Sequence, residues 1–419
     1  MPTIPGRTYV VKRIFFESGE EIPLLVHKQT GLSPVLPMRW VMRKRRREVA
    51  ANTLANDLQG IDDLLEWGEA HFSDPSQKEL LEFLGEGGQF SVNQLESLAT
   101  FVRERKFTRG GRLLYRSIGT ASQRIRSIQL FLEWAVDLSA RGSGGRSDLS
   151  PEQLHHYCEQ LDHSFRPLRT APSGPKRPEP LSKTEDELLR EIMSPVRNST
   201  GAFVRPLCFR DVNAFQRTSQ LRNWVLFLLL RDCGLRRGEA LKIKVDDVDL
   251  TPGSATVKVL RRPDDPEDPR KPRPKVKGME GVVPIEGETN IALRAYIQDF
   301  RHPGFRGRSG STYLLKTRTG FPLSSSYVGR VFRIAARGHP ELRKVSPHVL
   351  RHTWAESLAS ALMESEAYDE EMALSLLREA GRWKPGSETP LHYIQNAIRG
   401  EVNGFLRKRQ DRLNRQTNG

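Results

Sequence analysis

The stretch Ser346-Pro347-His348-Val349-Leu350-Arg351-His352 sets two imidazoles and a guanidinium at i, i+3 and i+4, a spacing that gathers them on one helix face. Ser346 reads as the N-cap and Pro347 as a first-turn residue, so this face lies at a helix N-terminus, where backbone N–H groups and the helix dipole favour an anion. Leu350, Trp354 and Leu358 form a separate apolar stripe that anchors the helix. A phosphate suits the polar face, because an arginine fork pairs with two of its oxygens at once. Alone, H-x-x-R also describes a solvated helix with an ordinary core histidine, and His163 to Arg166 repeats it by chance.

Three further segments carry groups of the same chemistry. In RNWVLFLLLRDCGLRRGEALKIKVDDV an apolar helix stops at Gly234 and a new helix starts at Arg236-Arg237-Gly238-Glu239, so a rigid element delivers Arg236 and Glu239 can hold it in place. In PKVKGMEGVVPI, Lys275 and Lys277 sit at a hairpin tip. In EAGRWKPGSETPLHYIQNAIR, Tyr393 follows Trp383; a lone tyrosine is more often a core aromatic than a nucleophile.

The elements that must position these groups follow from periodicity. Residues 8–27 read as a β-hairpin turning at Glu17-Ser18-Gly19-Glu20. From about Arg39 the pattern is helical, with Leu54, Leu58, Ile61, Leu64 and Leu65 in register and an end near Trp67; further helices fall around Val92–Arg105 and Ala121–Leu138. PLRTAPSGPKRPEPLS is proline-dense and aperiodic, as a linker is. The expected organisation is an N-terminal β-hairpin extension over 1–37, a helical domain over 38–166, a linker over 167–181, a second domain over 182–400 and a basic tail over 401–419. Within the second domain, strands are expected only in the middle, at 255–260, 281–285 and 312–316, with RRPDDPEDPRKPRP (261–274) as a long, mobile hairpin loop. The fold class is mainly α with a small antiparallel sheet (α+β).

Composition narrows the partner. The chain has 419 residues, with 66 Lys+Arg against 51 Asp+Glu and a formal charge of +15, which favours a polyanion. The longest apolar stretch, Trp224 to Leu230, is too short to span a bilayer, so no membrane partner is expected. The N-terminus lacks the order of a signal peptide, and the expected location is cytoplasmic. Cys158, Cys208 and Cys233 form no C-x-x-C pair, so neither a disulfide framework nor a metal site is expected. Candidate DNA contacts are the run Arg43, Lys44, Arg45, Arg46, Arg47 and the cluster Arg105, Lys106, Arg109, Arg112, Arg124, Arg126, although such runs are often solvated faces.

In their order, Gly-Leu-Arg-x-x-Glu, a hairpin lysine, His-x-x-Arg-His, Gly-x-Trp and Tyr resemble the catalytic domain of the tyrosine recombinase (phage integrase) family, over about residues 181–400. The resemblance implies a helical core-binding domain at 38–165 and a site-specific recombinase that cuts and rejoins DNA through a 3′-phosphotyrosine, for integration, excision or transposition of a mobile element. It makes Arg236, Lys275, His348, Arg351, Trp383 and Tyr393 the catalytic set, with Glu239 behind Arg236. Lys275 fits better than Lys277 by its distance from Val283-Pro284. Trp383 sits one residue farther from Tyr393 than is usual, leaving Arg382 or Lys384 as alternatives, and the longer stretch before Tyr393 contains a second tyrosine, Tyr368.

Chemically, two arginines would neutralise the charge of a pentacoordinate transition state. Tyrosine, with an unperturbed pKa of about 10, needs a base, for which His348 is the candidate, and a lysine would protonate the departing 5′-hydroxyl. No cofactor, ATP or metal is implied. The implied partners are double-stranded DNA, a homotetramer in the synaptic complex with the C-terminal tail exchanged between protomers, and accessory proteins. Two rivals are a type IB topoisomerase-like relaxation and a non-catalytic DNA-binding regulator on the same fold.

Overall fold

The computed structural model describes residues 8–47, 49–71, 79–104, 106–109, 112–141, 150–169, 179–203, 215, 219–301 and 311–417. The chain divides into two compact units, Met1–Lys176 and Arg177–Gly419.

In the first unit, strands β1 (Tyr9–Phe15) and β2 (Glu21–His27) pair antiparallel around a turn in which Gly19 takes φ 88°. Helices α1 (Val35–Arg45), α2 (Ala51–His71), α3 (Leu80–Gly85) and α4 (Val92–Glu104) follow. Strands β3 (Lys106–Arg109) and β4 (Arg112–Tyr115) form a second hairpin, and helices α5 (Ile118–Ala140) and α6 (Pro151–Arg169) complete the unit. Trp67, Leu58, Ile61, Phe131 and Leu132 are fully buried at its centre, each worth about 1.5–3 kcal/mol of apolar burial. The continuous helix expected from Arg39 to Trp67 is instead two, α1 ending at Arg45 and α2 starting at Ala51. The β3–β4 hairpin is an element that helical periodicity hid, although Gly110-Gly111 between two β-prone runs is a turn signal.

The second unit opens with α7 (Lys183–Met193), held at its N-terminus by a capping box between Ser182 and Glu185. Then come α8 (Gln220–Arg231), α9 (Arg237–Lys242), strands β5 (Val248–Asp249), β6 (Thr256–Val259) and β7 (Gly281–Pro284), and helices α10 (Gly287–Ala295), α11 (Ser325–Ala335), α12 (Pro347–Glu364), α13 (Glu370–Ala380) and α14 (Thr389–Thr417). The sheet is antiparallel in the order β5-β6-β7. Helix α8 is buried on all sides, as its unbroken apolar run requires. A smaller core joins α12, α13 and α14 through Ala355, Ala359, Leu377, Trp383, Tyr393 and Ile394.

Two expectations for this unit fail. Residues 312–316 make no strand: Tyr313 and Lys316 each form an isolated bridge, to Lys244 and Pro322 respectively, so the segment lacks a continuous partner. The third strand is β5 instead. The segment 261–274 is not a loose loop either. Asp268, 1% exposed, accepts a bidentate pair from Arg270 and lies 2.9 Å from Lys242 Nζ of α9. Asp265 accepts from the Tyr313 hydroxyl at 2.7 Å and pairs with Lys244, which also reaches Glu267. Arg262 forks onto Asp247, and Arg270 donates to the carbonyls of Leu241 and Leu323. The segment is a strap, tied down by charges that composition alone reads as solvated.

Candidate active site

Ser346 caps α12 by accepting the Val349 N–H, with Pro347 in the first turn, and this fixes where His348, Arg351 and His352 emerge. Arg351 is 5% exposed, and its guanidinium donates to the carbonyls of Gly234 and Gly381, from two different turns. Trp383 stacks beside it, with the guanidinium 4.6 Å from the ring centroid. Burial and the neighbouring Arg236 push the Arg351 pKa down to about 9 against the opposing pull of Glu239, with Arg382 adding to the depression.

Arg236 precedes α9 and is tied to Glu239 twice: its backbone N–H donates to one carboxylate oxygen at 2.9 Å and its Nη1 to the other at 2.6 Å. Glu239 is 1% exposed and also accepts from Arg382 Nη2 at 3.0 Å. Burial alone would raise the Glu239 pKa, but Arg382, Arg236 and Arg351 outweigh it and hold the carboxyl below its ordinary value. Three guanidinium groups thus surround one carboxylate. Arg382 takes a left-handed φ of 51°, a strained conformation for a side-chain-bearing residue, and its carbonyl accepts from Met279 N–H and Arg236 Nη1.

The loop carrying the lysines threads into this corner through two glycines. A Cβ on Gly238 would lie 2.1 Å from the Lys275 carbonyl oxygen, and one on Gly278 would lie 2.3 Å from Arg236 Nη1 and 2.6 Å from the Arg382 carbonyl. Lys275 enters by its backbone and is half-buried. Lys277 is exposed and lines a cleft together with Arg236, Trp383, Lys384 and Ser387.

Tyr393, 4% exposed on α14, brings its hydroxyl to 2.7 Å from His352 Nδ1; its ring lies 5.9 Å from Trp383. His352 Nε2 is in turn 3.1 Å from His348 Nε2. The imidazole against the tyrosine hydroxyl is therefore His352, with His348 one step behind. Partial desolvation and the Arg351 and Arg236 charges lower the His348 pKa, which favours its neutral form. Of the three residues competing for the position before Tyr393, Trp383 stands between Arg351 and Tyr393, Arg382 turns inward to Glu239, and Lys384 is exposed at the cleft. Tyr368 lies 42% exposed in the turn between α12 and α13.

The basic candidates of the first unit divide. Lys44 pairs with Asp57 at 2.8 Å and covers the Trp40 ring, Arg45 pairs with Glu20, and Arg124 donates to the Asn56 carbonyl and to Gln59. Arg46, Arg47 and Arg126 are exposed, and Arg43 is half-buried. Arg105 and the side chains of Lys106, Arg109 and Arg112 lie outside the described residues. No helix among the described residues is long and apolar enough to cross a membrane.

Residues 209–397 match the phage integrase family. A tyrosine recombinase XerC from Staphylococcus saprophyticus is 28% identical over 135 residues, a stretch covering 32% of this chain and 39% of that protein. The XerH site-specific recombinase bound to a palindromic difH substrate shares the fold, with a TM-score of 0.53 at 16% identity over 87% of this chain and 82% of that one. So does the Tn1549 transposon integrase in complex with a circular-intermediate DNA, with a TM-score of 0.51 at 16% identity over 89% of this chain and all of that one (100%). Over residues 209–397, the chain thus carries a domain that matches the phage integrase family.

Proposed function

We propose that this protein is a site-specific DNA recombinase that cleaves and rejoins strands through a covalent link to Tyr393. The observation that carries the reading is the crowd of Arg236, Arg351 and Arg382 around the single carboxylate of Glu239, next to a hydrogen-bonded tyrosine hydroxyl. A phosphodiester brought there would relieve the mutual repulsion of the guanidinium groups. Its charge grows in the pentacoordinate transition state, so the same donors stabilise that state more than the ground state. Arg351 keeps N–H groups beyond the two that hold the Gly234 and Gly381 carbonyls, and Arg236 is partly exposed, so both have donors to offer. Trp383 packs the guanidinium and phenol planes into register.

The departing 5′-oxygen needs a proton. Lys275 holds that role by resemblance, and the place of Lys277 in the cleft beside Arg236 favours Lys277 for the same task. The linked strand is then released when a second 5′-hydroxyl attacks the phosphotyrosine, a sequence that calls for neither ATP nor a divalent metal. The exposed Arg46, Arg47 and Arg126 are suited to phosphate contacts that hold the duplex, and binding should weaken steeply with salt. The likeness to a transposon integrase favours movement of a mobile element as the biological role. Four protomers, exchanging the tail beyond residue 400, would form the synapse, with accessory proteins setting direction and the nucleoid as its location.

The test is a suicide substrate: a duplex selected from a random pool by binding, nicked beside the cleavage position, and incubated in EDTA. A protein–DNA adduct that survives denaturing electrophoresis and disappears in Tyr393→Phe is the expected result. Tight binding with no adduct would contradict the reading and leave a non-catalytic binder.

A further inference from the structure

Two imidazoles stand in line behind the Tyr393 hydroxyl, at 2.7 Å from Oη to His352 Nδ1 and 3.1 Å from His352 Nε2 to His348 Nε2. A phenol that donates to Nδ1 requires that nitrogen to be bare, so the neutral His352 ring carries its proton on Nε2. That N–H points at His348 Nε2, which must be bare in turn, leaving the His348 proton on Nδ1. The row runs from buried to open: Tyr393 is 4% and His352 7% exposed, whereas His348 is exposed. From this juxtaposition we infer that His352 is a catalytic residue, the base that takes the Tyr393 proton, and that His348 is a positioning residue that fixes the His352 tautomer and shares the charge it acquires.

The inference rests on the recombinase reading. In the cleavage step the Tyr393 O–H bond breaks and its proton passes to His352 Nδ1. The Oη electron pair forms the bond to phosphorus while the P–O5′ bond breaks. The 5′-oxygen leaves with a proton from the lysine-bearing loop. In the rejoining step the charges run backwards, and His352 Nδ1 returns its proton to Oη as the phosphotyrosine bond breaks. Arg351 and Arg236, on the phosphate side, oppose an imidazolium; the negative charge building on the phosphorane offsets them during the step. Arg382 lies behind Arg351 and is paired with Glu239. One turn along α12, Glu356 is engaged by Asn396 of α14 at 2.8 Å. Partial desolvation and the Arg351 and Arg236 charges lower the His348 pKa, which favours the neutral form that can accept the His352 N–H.

The experiment follows single-turnover adduct formation on the nicked duplex across neutral and mildly alkaline pH, for the full chain and for His352→Asn. The amide oxygen of asparagine can accept the phenol hydrogen bond but cannot take its proton. The variant should be roughly 100-fold slower at neutral pH, with the deficit shrinking as pH climbs toward the phenol's own ionisation near about 10, because a phenolate needs no base. His348→Gln, which preserves an acceptor, should lose less. A deficit of the same size at every pH marks a structural role and overturns the inference, as does a variant as fast as the wild type. Melting temperature and DNA binding establish that the variant is folded; should His352→Asn fail to fold, His352→Gln replaces it and is read by the same pH profile. Absence of any adduct from the wild-type chain would overturn the recombinase reading and this inference together, whereas a wild-type adduct with a pH-independent deficit overturns His352 alone.

Discussion

Among the described residues of the second unit, two clusters of basic side chains and carboxylates differ in charge balance. Around the strap, Lys242, Lys244, Arg262 and Arg270 each pair with a carboxylate among Asp247, Asp265, Glu267 and Asp268, and Arg273 donates to the Asp268 carbonyl. Around the candidate site, Arg236, Arg351 and Arg382 face Glu239 alone. In the balanced cluster Asp268 and Asp265 stay below their ordinary pKa despite burial, because their partners hold them ionised. In the unbalanced one, burial and cation crowding bring Arg351 down to about 9. A self-neutralising cluster holds chain segments together, while surplus charge is suited to binding something of opposite sign.

This contrast can be broken at either end. The largest effect on stability should come from Asp268→Asn, which strands Lys242 and Arg270 in the interior; removing one partner of a buried ion pair costs about 3–5 kcal/mol. Chemical denaturation should show that loss, and an unchanged midpoint would mean that the strap does not hold the fold. Arg351→Gln should invert the pattern. Adduct formation falls by about 10²–10³, the scale of a lost transition-state donor, while stability changes far less than in Asp268→Asn because cation crowding is relieved. Equal destabilisation by both variants would erase the distinction. The smallest effect is expected of Glu267→Gln at the strap's edge, where the carboxylate is open to water and Lys244 keeps Asp265 as its partner. A melting curve resolves that difference.

The same contrast explains what could be read from residue order. His348, Arg351 and His352 were legible because helical spacing puts them on one face, and Arg236 and Glu239 because a glycine stop and a new helix start bracket them. The partner of Tyr393 was not legible. Both histidines share the face, and only the angle at which α14 crosses α12 sets His352, rather than His348, against the hydroxyl. Arg382 was weighed only as a stand-in for Trp383; its inward turn depends on a left-handed backbone that its neighbours impose. The strap misled because proline and mixed charge also describe a linker, and its ordering comes from pairs distant in sequence, such as Lys242 with Asp268 and Tyr313 with Asp265. The 312–316 run is rich in β-formers, yet strand formation needs a continuous partner edge, which β-propensity does not encode.

The account turns on which atom becomes joined to DNA. Trapping the adduct on a nicked duplex, digesting both components and sequencing the nucleotide-bearing peptide by mass spectrometry answers that directly. A nucleotide on Tyr393, in the first turns of α14, is the predicted result; a nucleotide on Tyr368, or on any residue other than Tyr393, would contradict it.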